Sequence, residues 1–294
     1  MIRQHEWFKP WWGRDGVNAP MNPAIWKKAI WDGRSQFAIS CLLLFGFAWL
    51  FVWLNSLVNM ELWVKLLDFL PPFAVRLIGI PLSALASPLG RISVVFVHIV
   101  PLLILMGWAV GRNSELVSGA IANGTLEVLL TVPVRRVHWI WIPAVVWACQ
   151  ACLLVGALWL GLIVGVRVMD SGKDISPEAF FPGVVNLVCM TICLSGITAA
   201  LSAADNNRWR TIWLATGIFI VATIIKMVAR IWEPGAWLAY LSFLSAFEPQ
   251  LLVLVPEQAA RLMWRYNGTL LSVGLLGYVA ATVMLARRDI PVPR

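Results

Sequence analysis

Two pairs of thiols have the spacing that metal chemistry would ask for. Cys149-x-x-Cys152 and Cys189-x-x-x-Cys193 each place both sulfurs on one face of a helix, and four thiolates at similar depth could ligate a soft metal ion. The same spacing serves plain packing, because a free cysteine behaves as a small apolar residue. No acid or histidine stands near either pair in sequence. Packing is therefore the preferred reading, and no metal site is expected. The histidines are His5, His98 and His138. His98 suits a hydrogen bond between helices or, less readily, a contact to substrate, and Pro101 just beyond it predicts a kink. Lys226 and Arg230 share a helical face and could meet an anionic headgroup or substrate; snorkelling of the two long side chains to an interface is the preferred reading. The sequence has no G-x-x-x-x-G-K-[ST] loop, no H-E-x-x-H and no G-x-S-x-G. Nucleotide phosphates, a protease-type zinc and an acyl-transfer serine thus have no recognisable site. No catalytic residue and no cofactor are expected on this chain.

The elements that would hold these side chains are set by hydropathy. The 294 residues are 60% hydrophobic and 13% charged, with mean hydropathy +0.79, against about 25% charged in a soluble domain. A helix needs about 20 apolar residues to cross the hydrocarbon. Residues 35–60, 92–111, 137–166, 179–204 and 266–286 contain no Asp, Glu, Lys or Arg, and 211–231 carries only Lys226 and Arg230 near its end. The predicted fold class is all-α, a polytopic membrane protein with six transmembrane helices. A single domain spans 1–294: an N-terminal segment 1–34, a bundle 35–286 and a tail 287–294. No cleavable signal is evident before the first apolar block. With the N-terminus inside, the inner segments 1–34, 112–136, 205–210 and 287–294 hold 14 Lys/Arg and 7 acids, against 9 and 8 on the other side. That bias predicts both termini in the cytoplasm, in the inner (plasma) membrane of the cell. The net charge of +8 then belongs to loops beside anionic lipid, and no nucleic-acid partner is expected. On the outer side, residues 60–70 read as a short amphipathic helix with Glu61, Lys65 and Asp68 opposite Leu62, Leu66 and Phe69. The uncharged stretches 234–247 and the one containing Pro81 and Pro88 are too short to span, so they lie at the interface or re-enter partway.

The inner loop between the second and third spans carries the most specific pattern. Gly124-Thr125-Leu126-Glu127-Val128-Leu129-Leu130-Thr131-Val132-Pro133-Val134, followed by Arg135 and Arg136, resembles the signature of type-2 permeases of ATP-binding-cassette (ABC) transporters. Physically it describes a short amphipathic helix along the inner face, stopped at Pro133. Asn22-Pro23-Ala24-Ile25-Trp26-Lys27-Lys28 is similar to the family's N-terminal interfacial helix, which opens on Asn-Pro and carries basic residues. The long connection between the last two spans resembles its outer re-entrant element, and Arg287-Arg288 its basic stop. The chain departs from the family at Ala120-Ile121-Ala122-Asn123, where acids usually precede the signature and Glu115 is here the nearest, and at Lys27-Lys28, where a Lys-Glu pair is common.

The resemblance implies a permease subunit that does no catalysis itself. Its coupling helix, with Gly124, Thr125, Leu126, Glu127, Leu129, Leu130, Pro133, Arg135 and Arg136, would dock on a separate ABC ATPase subunit that binds ATP and Mg. A second permease copy or a homologue would complete the translocation unit within the lipid bilayer. A stand-alone carrier or channel is the alternative, disfavoured because no carboxylate lies within any expected span and coupled carriers usually place acids there. A membrane-embedded lipid-modifying enzyme is a further alternative, for which no polar catalytic cluster is visible.

Overall fold

The computed structural model describes residues 23–58, 63, 65, 67–125, 135–169 and 175–287. All regular structure among them is helical. Six helices are long and apolar enough to cross a membrane: Arg34–Leu57, Pro88–Ala122, Arg136–Val168, Pro177–Ala204, Arg208–Ile231 and Ala260–Arg287. Each overlaps one expected span. Several run past their expected ends because those ends were drawn where charge begins, whereas helical hydrogen bonding continues through Arg112, Glu115, Arg136 and Arg208.

Helix α1 (Pro23–Trp31) opens on a proline, whose missing N–H is among those a helix start leaves unpaired anyway. It buries Ile25 and Ala29 while Lys27 and Lys28 stay exposed, and Asp32 then leads into a left-handed Gly33 (φ 74°). Helix α2 (Arg34–Leu57) buries Leu44, Ala48 and Val52, a seam spaced by four residues. Short helices α3 (Pro72–Ile78) and α4 (Leu82–Ala86) follow. Of the expected amphipathic helix at 60–70, Glu61, Leu62 and Leu66 lie outside the described residues.

Helix α5 (Pro88–Ala122) is interrupted twice. A 3-10 turn at Val94–Val97 runs into an extended His98, whose Nδ1 accepts from Val100 N (3.3 Å) and restarts the helix. His98 therefore caps its own helix, and its ring packs tilted against Phe47 of α2 at 4.9 Å; among the described residues its side chain makes no hydrogen bond to another helix. The break precedes Pro101, which sits in the first turn of the restarted segment, where an N–H is not needed. Near its other end Glu115–Gly119 forms a single π-helical turn, a local widening that is often found at functional positions.

Helix α6 (Arg136–Val168) lies along α2. A side chain at Gly161 would run into the backbone of Phe45. Helix α7 (Phe181–Ala204) is the axis of the molecule: its span is 67% buried, against 17% for α2 and 11% for α8 (Arg208–Ile231). It carries no charge and is rich in Gly, Ala, Ser and Thr, so neighbours approach its backbone from all sides. After α8, a 3-10 segment Glu233–Leu241 and the piece Phe243–Leu254 are bent against each other by 96°. The second piece ends in α9 (Pro249–Leu254), and α10 (Pro256–Arg287) completes the chain.

The outward surface of α8 presents Trp209, Trp213, Ile220, Val221 and Ile224, and α2 and α10 are similarly apolar outside. Exposed apolar surface of this extent is foreign to water-soluble monomers.

Candidate functional site

The contacts sort the charged side chains into two ends. At one end lie Gly33, Arg112, Glu115, Arg136, Arg208 and the C-terminal turn of α10; at the other lie Leu77, Arg230, Glu248 and the bent piece after α8.

At the first end the N-terminal helix and the start of the expected coupling segment face one cavity of about 450 Å³, lined by Lys28, Asp32, Arg112, Glu115, Asn123 and Thr125 among others. Lys28 Nζ pairs with Asp32 at 2.8 Å across one turn of α1. Gly124 is left-handed (φ 66°), and Thr125 Oγ1 donates to Ala120 O at 3.1 Å, so the chain leaves α5 by a capped turn. Leu126, Glu127, Leu129, Leu130 and Pro133 lie outside the described residues, as does Asn22. Arg135 precedes α6 in extended conformation. Arg136 Nη1 donates to Leu285 O and Ala286 O, both at 3.2 Å, and so closes the end of α10, where a cation also suits the helix dipole.

Arg112 anchors this end and was not singled out from sequence. Its side chain is 6% exposed, with the guanidinium held over the rings of Trp147 (5.2 Å) and Trp108 (5.6 Å). Its Nη1 lies 3.5 Å from Glu115 Oε2. The Gly33 turn sits on the same guanidinium so closely that a Cβ there would stand 2.7 Å from Nη1. Glu115 also pairs with Arg208 at 2.9 Å. The acid nearest to the signature is thus bound within the chain, between the second and fifth long helices. The one available sequence signal was Trp108-x-x-x-Arg112 at the end of an apolar run.

Beneath these ion pairs the π turn is held by hydroxyls. Ser202 Oγ accepts from Val117 N (3.1 Å) and Ser118 N (3.0 Å), and Thr211 Oγ1 lies 3.0 Å from Ser118 Oγ. Tyr278 donates from its hydroxyl to Asn113 Oδ1 at 3.0 Å. These bonds tie α5, α7, α8 and α10 at one level.

At the opposite end Lys226 and Arg230 both turn toward one carboxylate. Lys226 Nζ lies 3.0 Å from Glu248 Oε1 and donates to Phe247 O at 2.5 Å. Arg230 pairs with the same carboxylate and donates to Leu77 O at 2.6 Å. Glu248 is carried there by the bent piece after α8, and its own N–H donates to Asn186 Oδ1 of α7 at 3.0 Å. Asn186, fully buried, also donates to Ala246 O (3.1 Å) and Asn267 Oδ1 (2.7 Å). Counted from sequence, Glu248 was one of eight acids on its side of the bundle; in the fold it is a mostly buried acid against a long apolar helix. Glu115 and Glu248 both lie outside the expected charge-free spans, yet both are held against long helices by the cations they pair with.

The thiols differ in burial. Cys149 and Cys152 are exposed on α6, whereas Cys189 and Cys193 are buried in α7. Among the described residues no three His, Cys, Asp or Glu side chains are grouped to hold a metal ion.

No protein-family model matches the chain, and no curated protein is significantly similar to it.

Proposed function

We propose that the chain is a membrane permease subunit driven by a separate nucleotide-hydrolysing partner, as in ABC transporters of the type-2 permease class. In this reading the six long helices cross the plasma membrane, both termini are cytoplasmic, α1 lies along the inner interface, the segment from Gly124 to Pro133 is the coupling helix and the bent piece after α8 re-enters from outside. The supporting observation is the shared cavity at one end of the bundle. Lys28 of one motif and Thr125 of the other, far apart in sequence, line the same space, with Asp32 and Asn123 beside them. Arg112 and Arg208 link that space to α5 and α8 through Glu115. A push on the segment after Thr125 would therefore reach the Gly33 elbow and two long helices through the charge pairs of the buried Arg112 and the half-exposed Glu115 and Arg208. Such levers suit an external motor that rocks two permease halves between inward-open and outward-open states.

The test is co-purification with a candidate P-loop ATPase. Leu130→Asp and Glu127→Ala should weaken assembly or lower permease-stimulated ATP hydrolysis by about tenfold, equivalent to about 1.4 kcal/mol. Unchanged assembly together with an unchanged hydrolysis rate would remove the coupling assignment.

A second reading, a carrier working alone, draws on Glu248, an acid paired with two cations in an apolar setting. It predicts gradient-driven flux in liposomes that contain only this chain, and abolition of that flux by Glu248→Gln.

A further inference from the structure

The outer end of the bundle encloses a cavity of about 490 Å³, within the range of about 300–1,000 Å³ usual for small-molecule sites. Its walls are apolar, with Leu67, Leu85, Val97, Phe219, Met227 and Leu244 among them. The described side chains lining it include three charged ones, Lys226, Arg230 and Glu248. All three are mostly buried, at 16%, 25% and 15% exposure. Both cations converge on a single oxygen, Glu248 Oε1, so among the described residues two positive charges face one negative charge.

An excess cation held in apolar surroundings is costly unless an anion compensates it. Backbone carbonyls at Leu77, Ile78 and Phe247 solvate the two heads without cancelling the charge. The compensating anion has to tolerate the apolar walls as well. A small hydrated ion does not; an anionic headgroup attached to hydrocarbon does. We propose that this half-open cavity holds the headgroup end of one acidic phospholipid per chain, its phosphate at Lys226 and Arg230 and its acyl chains running out along the Leu and Phe walls. Glu248 then acts as a counter-charge that holds the two cations in place and keeps binding weak enough to be reversible. The inference rests on reading the long helices as spans, and it is independent of any motor.

The experiment uses the purified full chain, delipidated in a neutral maltoside detergent and offered phosphatidylglycerol or phosphatidylcholine, with retained lipid counted by native mass spectrometry. Wild type should retain one phosphatidylglycerol about tenfold more tightly than phosphatidylcholine. Glu248→Gln removes the competing acid and should strengthen phosphatidylglycerol retention several-fold, a direction that loss of structure would not produce. The triple variant Lys226→Gln, Arg230→Gln, Glu248→Gln strands no charge and should bind both lipids alike, with an unchanged elution profile confirming its fold. Equal retention of the two lipids by wild type, a phosphatidylglycerol preference that survives in the triple variant, or displacement of the lipid by millimolar inorganic phosphate alone would each overturn the site. Failure of the span reading has a different signature: the expressed chain would be released from membranes by alkaline carbonate.

Discussion

Gly33 shows how much a single residue can decide here. Its backbone is left-handed, and its missing side chain leaves room for the Arg112 guanidinium. Gly33→Ala is expected to cost about 1–2 kcal/mol from backbone handedness alone, and more as Arg112 is displaced from Trp108 and Trp147. Gly46→Ala, in α2 with no atom within 4 Å of its added methyl, should instead be neutral or stabilise by about 0.5–1 kcal/mol. Unfolding midpoints of the two variants in the same detergent check the contrast, and equal shifts would mean that Gly33 is an ordinary helix stop. Residue roles were legible in sequence only where partners are close along the chain. Lys226 and Arg230 stood out as a pair four residues apart, but their partner Glu248 joins them through a bent, aperiodic piece that no helical pattern could foretell. Arg112 was likewise visible only as loop charge, because its contacts Trp147 and Gly33 belong to other elements.

At the scale of elements, the crossing of α7 and α10 is backbone on backbone. A Cβ at Gly196 would collide with Gly274, and one at Gly277 with Gly196. Such close approach is how helices associate when burial from water offers little drive. Gly196→Val should therefore force the central pair apart, costing at least the 1–3 kcal/mol or so typical of overpacking. Gly156→Val in α6, where nothing stands within 4 Å, should leave the protein folded; size-exclusion profiles of fluorescent fusions compare them, and a normal Gly196→Val profile would refute the packing argument. The six long helices were legible because a charge-free stretch of sufficient length has few other fates. Their irregularities were not. The π turn at Glu115–Gly119 depends on Ser202 Oγ reaching across from α7, and the break before Pro101 on a cap from His98. Tertiary partners, and not local preference, set both.

At the scale of the whole molecule, the two charged ends differ in kind, and the difference bears on orientation. The end with α1, Arg112, Arg136 and Arg208 is rich in arginine and opens into the 450 Å³ polar cavity; the other is mostly apolar and closes around Glu248. Alternate running of six helices places Asn123 at the first end and Glu233, which pairs with Arg76 of α3 at 3.2 Å, at the second. Both side chains are exposed. In a background with the five cysteines replaced, Asn123→Cys should react with an impermeant maleimide only in inside-out vesicles, and Glu233→Cys only in right-side-out vesicles. The positive-charge bias of 14 against 9 predicts that sidedness. The reverse result would put the segment after Thr125 on the far side, where no cytoplasmic ATPase could push it, and would remove the motor while leaving the bundle intact. Labelling of both sites from one side would contradict the alternation of the helices. The expected pattern sets the Gly33–Arg112–Glu115–Arg208 linkage where a nucleotide-driven partner could act on it, with the cavity at Glu248 facing the opposite leaflet.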